Sequence, residues 1–172
     1  MLQLTLLRQA LLDHLAAAGI RVLAAWPKED RVRYESPLVV VDLRTLTTEE
    51  AGFQHYLGER FSQENQRWEE RYGQKIAVCF ALDLYSPRKI AEDGLQRLMD
   101  QIADALAQEG PAGLHVREVS WGKTSYDRSC DMLTRAGEVL CEGLLCAVRD
   151  EEGSFLSFEV RGGLTLELHH ES

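Results

Sequence analysis

Ser86-Pro87-Arg88 stands where a strand-like alternation gives way to an amphipathic helix, within "LDLYSPRKIAEDGLQRLMDQIADAL" (residues 82–106). The free amides of a helix start, with Arg88 beside them, could hold a phosphate or carboxylate. The stretch has no glycine-rich cradle, however, and Pro87 removes one donor. Ser86 as N-cap and Pro87 at the first helical position account for the same residues as plain capping chemistry, so a structural corner is expected.

The other reactive residue types are equally sparse in pattern. His169-His170 could ligate a metal, but such a site needs further ligands at fixed geometry, and the surrounding "RGGLTLELHHES" offers none. His14, His55 and His115 are scattered, and a Cys–His pair would have to be brought together by the fold. Cys141 and Cys146 lie in a predicted strand at an odd separation, which points them to opposite faces. Cys79 falls in another apolar strand and Cys130 in a polar loop, with no CxxC spacing. Four reduced thiols are expected. Asp127, Arg128 and Asp131 read as turn and surface polar residues, and Trp68 and Trp121 as core or interface anchors. No catalytic, cofactor-binding or metal-ligating residue is assigned, and no enzymatic activity is expected.

The 172 residues fit one domain, with or without an extended arm. Hydrophobic residues at 45% and charged residues at 27% fit neither a disordered chain nor a membrane span. The apolar start "MLQLTLLRQALLDHLAAAG" is interrupted by Arg8, Gln9, Asp13 and His14, unlike a signal peptide. A retained helix and a cytosolic protein are expected. A formal charge of −9 argues against a nucleic-acid-binding surface, which needs clustered Lys and Arg.

Along the chain, Leu4, Leu7, Leu11, Leu15 and Ala18 keep helical spacing, stopped by Gly19. A short strand is predicted at Ile20 to Trp26, and "PLVVVDL" after Pro37 reads as a strand covered on both faces. Residues 44–74 admit a helix from Thr48, but two glycines and the alternation of Phe53, His55, Leu57 and Phe61 favour a long β-hairpin turning at "SQENQ". Such a hairpin has too little apolar surface to stand without a partner. Ile76, Val78, Phe80, Leu82 and Leu84 form one apolar strand face. Leu95, Leu98, Met99, Ile102 and Leu106, with Ala91, form a helical stripe opposite Asp93, Arg97, Asp100 and Asp104. Strands follow at Leu114–Lys123, along "MLTRAGEVLCEGLLCAV" and at "FLSFEV". The expected fold is α+β: a mostly antiparallel sheet, two helices packed on it and an extended β-hairpin arm. Residues 1–160 form the domain, 53–72 its arm and 161–172 a C-terminal tail.

The strand ending "LDLYSPR", the helix "GLQRLMDQIADAL", the strand "VREVSWGKTSYD" and the long strand ending "EGLLCAV" resemble the tail terminator (tail completion) proteins of tailed bacteriophages. "YLGERFSQENQRWEERYG" looks like the arm of the prophage and contractile-tail versions, and "LLRQALLDHLAAAGI" like the first helix. The resemblance spans roughly Leu2 to Val148 and rests on element order and texture.

It implies a structural virion protein, made in the host cytoplasm and resident in the tail. Such proteins cap the tail tube as a ring, usually a hexamer, and form the tail side of the head–tail junction. The implied partners are further copies of the chain, the tail tube protein and head–tail connector proteins, with DNA passing through the lumen unbound. No cofactor and no membrane are implied. Tyr56, Phe61 and Trp68 are the expected subunit-interface anchors, because the arm is rich in aromatics yet has no core face of its own. A related head–tail connector or neck protein would share this texture and differ in its docking partner. A small ligand-binding α+β domain would instead need a concave pocket with converging polar groups.

Overall fold

The computed structural model describes residues 4–25, 34–50, 56–152 and 155–161. Helix α1 (Leu4–Ala17) leads to the two-residue strand β1 (Val22–Leu23), then β2 (Leu38–Glu50), β3 (Tyr56–Ser62) and β4 (Arg67–Pro87). Helix α2 (Glu92–Gln108) follows, then β5 (His115–Asp127), β6 (Met132–Asp150) and β7 (Phe155–Arg161). All seven strands join one sheet, antiparallel except where β1 pairs β2. The chain is thus an α+β protein with two helices, a mostly antiparallel sheet and an extended β3–β4 hairpin.

Two central strands organise everything. β4 pairs β6 from Glu69↔Asp150 to Pro87↔Met132 without a register shift. At about 3.3 Å per residue, the 21 residues of β4 span roughly 65–70 Å. Near the helices this pair is flanked by β2 and β5; beyond Gln74 it is flanked by β3 and β7. The helices cover only the first half.

The alternation along β4 explains that cover. Ile76, Val78, Phe80, Leu82 and Leu84 are buried, and pack with Val39, Val41 and Val139 against Leu7, Leu11 and Leu15 of α1 and Leu95, Leu98, Ile102 and Leu106 of α2. Alternate residues of β2 turn to the other face, where Leu38 and Val40 join Tyr85 and Met132 in a second, smaller cluster. This is why the run "LVVV", Leu38 to Val41, is apolar at every position. His14 donates through Nε2 to the Ala105 carbonyl at 2.8 Å, tying α1 to α2.

Three local expectations are corrected. Ser86 does not cap a helix: Ser86 and Pro87 remain in β4, a turn follows, and α2 begins at Glu92 after Ala91, whose φ is 54°. Ser86 is instead buried beneath Gly94, packed so closely that a Cβ on Gly94 would lie 2.1 Å from the Ser86 Oγ. The strand expected over Ile20–Trp26 shrinks to Val22–Leu23, and Trp26 lies outside the described residues. The strand expected over Leu114–Lys123 spans His115–Asp127, its register with β6 shifting at two bulges, Val116/Glu118 and Trp121/Thr124. Gly137 leaves room for Trp121 to lie across β6; a Cβ there would sit 2.3 Å from its ring.

Candidate assembly surface

The residues able to do chemistry are kept apart by the fold. Among the described residues, no three His, Cys, Asp or Glu side chains gather as a metal site. His55, His169 and His170 lie outside the described residues. None of the four cysteines is in a disulfide: Cys79, Cys141 and Cys146 are buried and Cys130 is half-buried in the 128–131 turn. Burial, with Cys79 adding to it, pushes the Cys141 thiol up to about 12. Alkylation of the native protein at neutral pH should therefore label Cys130 well before the other three, and denaturant without reductant should reveal all four. Recovery of only two thiols would contradict the free-thiol structure.

Asp127 accepts hydrogen bonds from the Ser129 amide and hydroxyl at 2.9 and 2.6 Å, which hold its carboxyl below the usual range. Asp131 accepts from the Tyr126 hydroxyl. These polar residues build the turn, as the sequence predicted.

What the fold does bring together is on the arm. Trp68, Glu70 and Tyr72 continue the same alternation as Ile76–Leu84, so they emerge on the helix-bearing face of the sheet, beyond the reach of either helix. Across the hairpin, Tyr56 opposes Tyr72 and Phe61 opposes Trp68. The ring centroids lie 5.4 Å apart in the first pair and 5.6 Å in the second, where the rings are nearly edge to face. Pairs of this kind add about 0.5–1.5 kcal/mol beyond their buried area. Arg149 of β6 extends the row, its guanidinium 5.0 Å from the Tyr72 ring. Tyr56, Phe61 and Trp68 remain 39%, 46% and 49% exposed. Among the described residues, three of the five exposed large hydrophobic side chains thus share one face of one hairpin.

Carboxylates border these rings. Glu59, Glu70 and Glu151 surround Trp68 in a shallow, open recess, and the Tyr72 hydroxyl donates to Glu70 at 2.9 Å. That bond, then burial and the Glu70 charge, raises the Tyr72 phenol above its ordinary value. The opposite face of the arm is closed. Glu69 is buried there, accepting from Arg60 Nε at 3.1 Å and Asn65 Nδ2 at 3.0 Å. The Asn65 bond, then that of Arg60, outweighs desolvation and keeps the Glu69 carboxyl below its usual range. Leu57 packs on Leu144 and Cys146 nearby.

Sequence reasoning placed Tyr56, Phe61 and Trp68 on an extended hairpin but missed the strands beside it. The arm is a hairpin backed by β6 and β7, four strands wide. Removing residues 53–72 would strip Ala147–Asp150 of β6 of their partner strand, so side-chain replacement tests the surface more cleanly than deletion. The missed signal was the unbroken phase from Trp68 through Ile76.

On the helix-free face of the sheet, Asp42, Asp83, Glu138 and Glu142 lie among Arg44 and Arg117, with Arg44 paired to Glu138 and Arg117 to Glu142 at 3.0 Å. Burial, then Asp42, raises the Asp83 carboxyl, with Arg44 opposing. None of the described helices is long and apolar enough to cross a membrane. Compared with protein-family models and with curated proteins, the chain matches none.

Proposed function

We propose that this chain is a structural virion protein of a tailed bacteriophage or prophage, which caps the tail tube as a ring and forms the tail side of the head–tail junction. The observation that carries the reading is the sheet that outruns its helices. Its far half presents two aromatic cross-strand pairs to solvent on a backing of four strands. A surface of that kind is costly to leave open and suits burial against a neighbour. The sequence resemblance supplies the rest: a ring of copies, usually six, contacting the tube protein below and connector proteins above. The net charge of −9 and the carboxylates of the helix-free face suit a passage that DNA crosses without adhering.

Replacing Tyr56, Phe61 and Trp68 together with serine tests it. All three are substantially exposed, so the variant should fold, with a melting temperature lowered by several degrees for the roughly 1–3 kcal/mol lost with the two ring pairs. Each ring that anchors an interface is worth about 2 kcal/mol or more, so assembly should be lost. Negative-stain microscopy of the protein mixed with the tube protein of the same phage should show capped tubes for wild type. The variant should leave tubes open and overlong. Capping that survives the triple replacement would refute the role given to the arm. A wild type that joins the connector but never the tube would favour a neck protein.

A further inference from the structure

The arm's recess has a counterpart at the far end of the same sheet. Glu59, Glu70 and Glu151 around Trp68 make a site suited to a guanidinium or ammonium group, which would gain carboxylate partners and a ring face at once. Register places the complement. Pro87, Met132 and Asp127 form the last row of the sheet, so Arg88 and Arg128, the next residues of two strands, project from the same end. Arg88, Lys89 and Arg128 are exposed there. Beside them Tyr126 is 45% exposed. The hydrogen bond to Asp131 raises its phenol, with burial adding, while the charges of Arg88 and Arg128 act to lower it. The two carboxylates of that turn are already engaged, Asp127 with Ser129 and Asp131 with Tyr126. Glu92 and Asp93 lie in the first turn of α2, where the helix dipole favours a carboxylate.

These two patches lie at opposite ends of β4, so one molecule cannot satisfy its own pair. We propose that subunits join head to tail: the aromatic, carboxylate-lined arm of one copy seats on the Arg88–Lys89–Arg128 end of the next, with Tyr126 packed among the arm's rings. This rests on the ring reading above and specifies its contact. It is a heterologous contact, which gives a ring when its rotation closes and an open filament when it does not.

Charge exchange tests the pairing. Arg88→Glu with Arg128→Glu alters one end; Glu59→Lys with Glu151→Lys alters the other, and all four side chains are exposed. Circular dichroism and thermal melts confirm that each variant folds. Light scattering over a concentration series at low salt should show a closed oligomer for wild type. Each two-residue variant should be weakened at least about tenfold, since like charges are then juxtaposed. The chain carrying all four changes should regain assembly, because the exchanged charges again match. Oligomers that persist in either variant, or a four-residue variant no better than its parents, would overturn the head-to-tail pairing and leave the ring reading standing. A wild type that stays monomeric alone and on tubes would overturn the ring reading itself.

Discussion

Leu98→Asp is expected to abolish folding, whereas Arg97→Ala, one residue away, should shift stability by about 0.5 kcal/mol or less. Leu98 is 3% exposed in the stripe of α2 that meets β4, among Leu95, Ile102, Phe80 and Leu82. An aspartate there loses about 2–3 kcal/mol of side-chain burial and adds a charge with no partner, together comparable to the whole stability of a domain. Arg97 lies on the exposed side of the helix. Thermal melts by circular dichroism decide the matter: two variants that behave alike would mean that the helix is rotated from its assigned phase.

Gly94→Val should be the second most damaging change, and Ser86 should be the reason. Alanine or valine would ordinarily stabilise a helix interior over glycine, by up to about 1 kcal/mol. Here the added Cβ would lie 2.1 Å from the Ser86 Oγ and 3.0 Å from Pro37 Cγ. Overpacking of this kind costs about 1–3 kcal/mol or more, so the clash wins over propensity. The Ser86 hydroxyl is buried and makes no hydrogen bond among the described residues. Ser86→Ala alone should therefore be neutral or stabilising, since it removes a desolvated group. Combined with Gly94→Ala it should relieve part of the strain, and the double variant should be more stable than the two single effects added together. Strict additivity in denaturant titrations would show that the two sites do not touch.

This corner also marks where sequence reasoning stopped working. Ser-Pro is good capping chemistry, and nothing local separates a capped helix start from a strand end followed by a turn. The deciding contact is Gly94 against Ser86, eight residues apart and visible only once α2 lies on the sheet. Elements whose periodicity reflects one buried face were readable: Ile76–Leu84 alternates with period two, and Leu95–Leu106 keeps the helical repeat, because each faces the same core. Tyr56, Phe61 and Trp68 were legible as a surface because their aromatic density had no apolar stripe to join. Their backing strands were not, since "WEERY" sets three charged residues between its two rings and the pairing of Glu69–Tyr72 with Ala147–Asp150 is set by topology.

The unbroken β4–β6 pair has a consequence for how the chain reaches its native state. β3–β4 and β5–β6 are hairpins of neighbouring strands and can close early, each within microseconds. The sheet becomes one only when β4 meets β6, and that ladder joins Pro87 to Met132 at its near end and Glu69 to Asp150 at its far end, with α2 and β5 intervening in the chain. Closing such distant pairs is entropically expensive, which places this protein among the slow folders for its size. Until it closes, each hairpin exposes a long, unpaired edge carrying Val78, Phe80 and Leu82 on one side, or Val139 and Cys141 on the other. Those edges invite pairing with the wrong molecule. Yield on expression should thus depend on temperature and synthesis rate more steeply than the finished protein's stability would suggest.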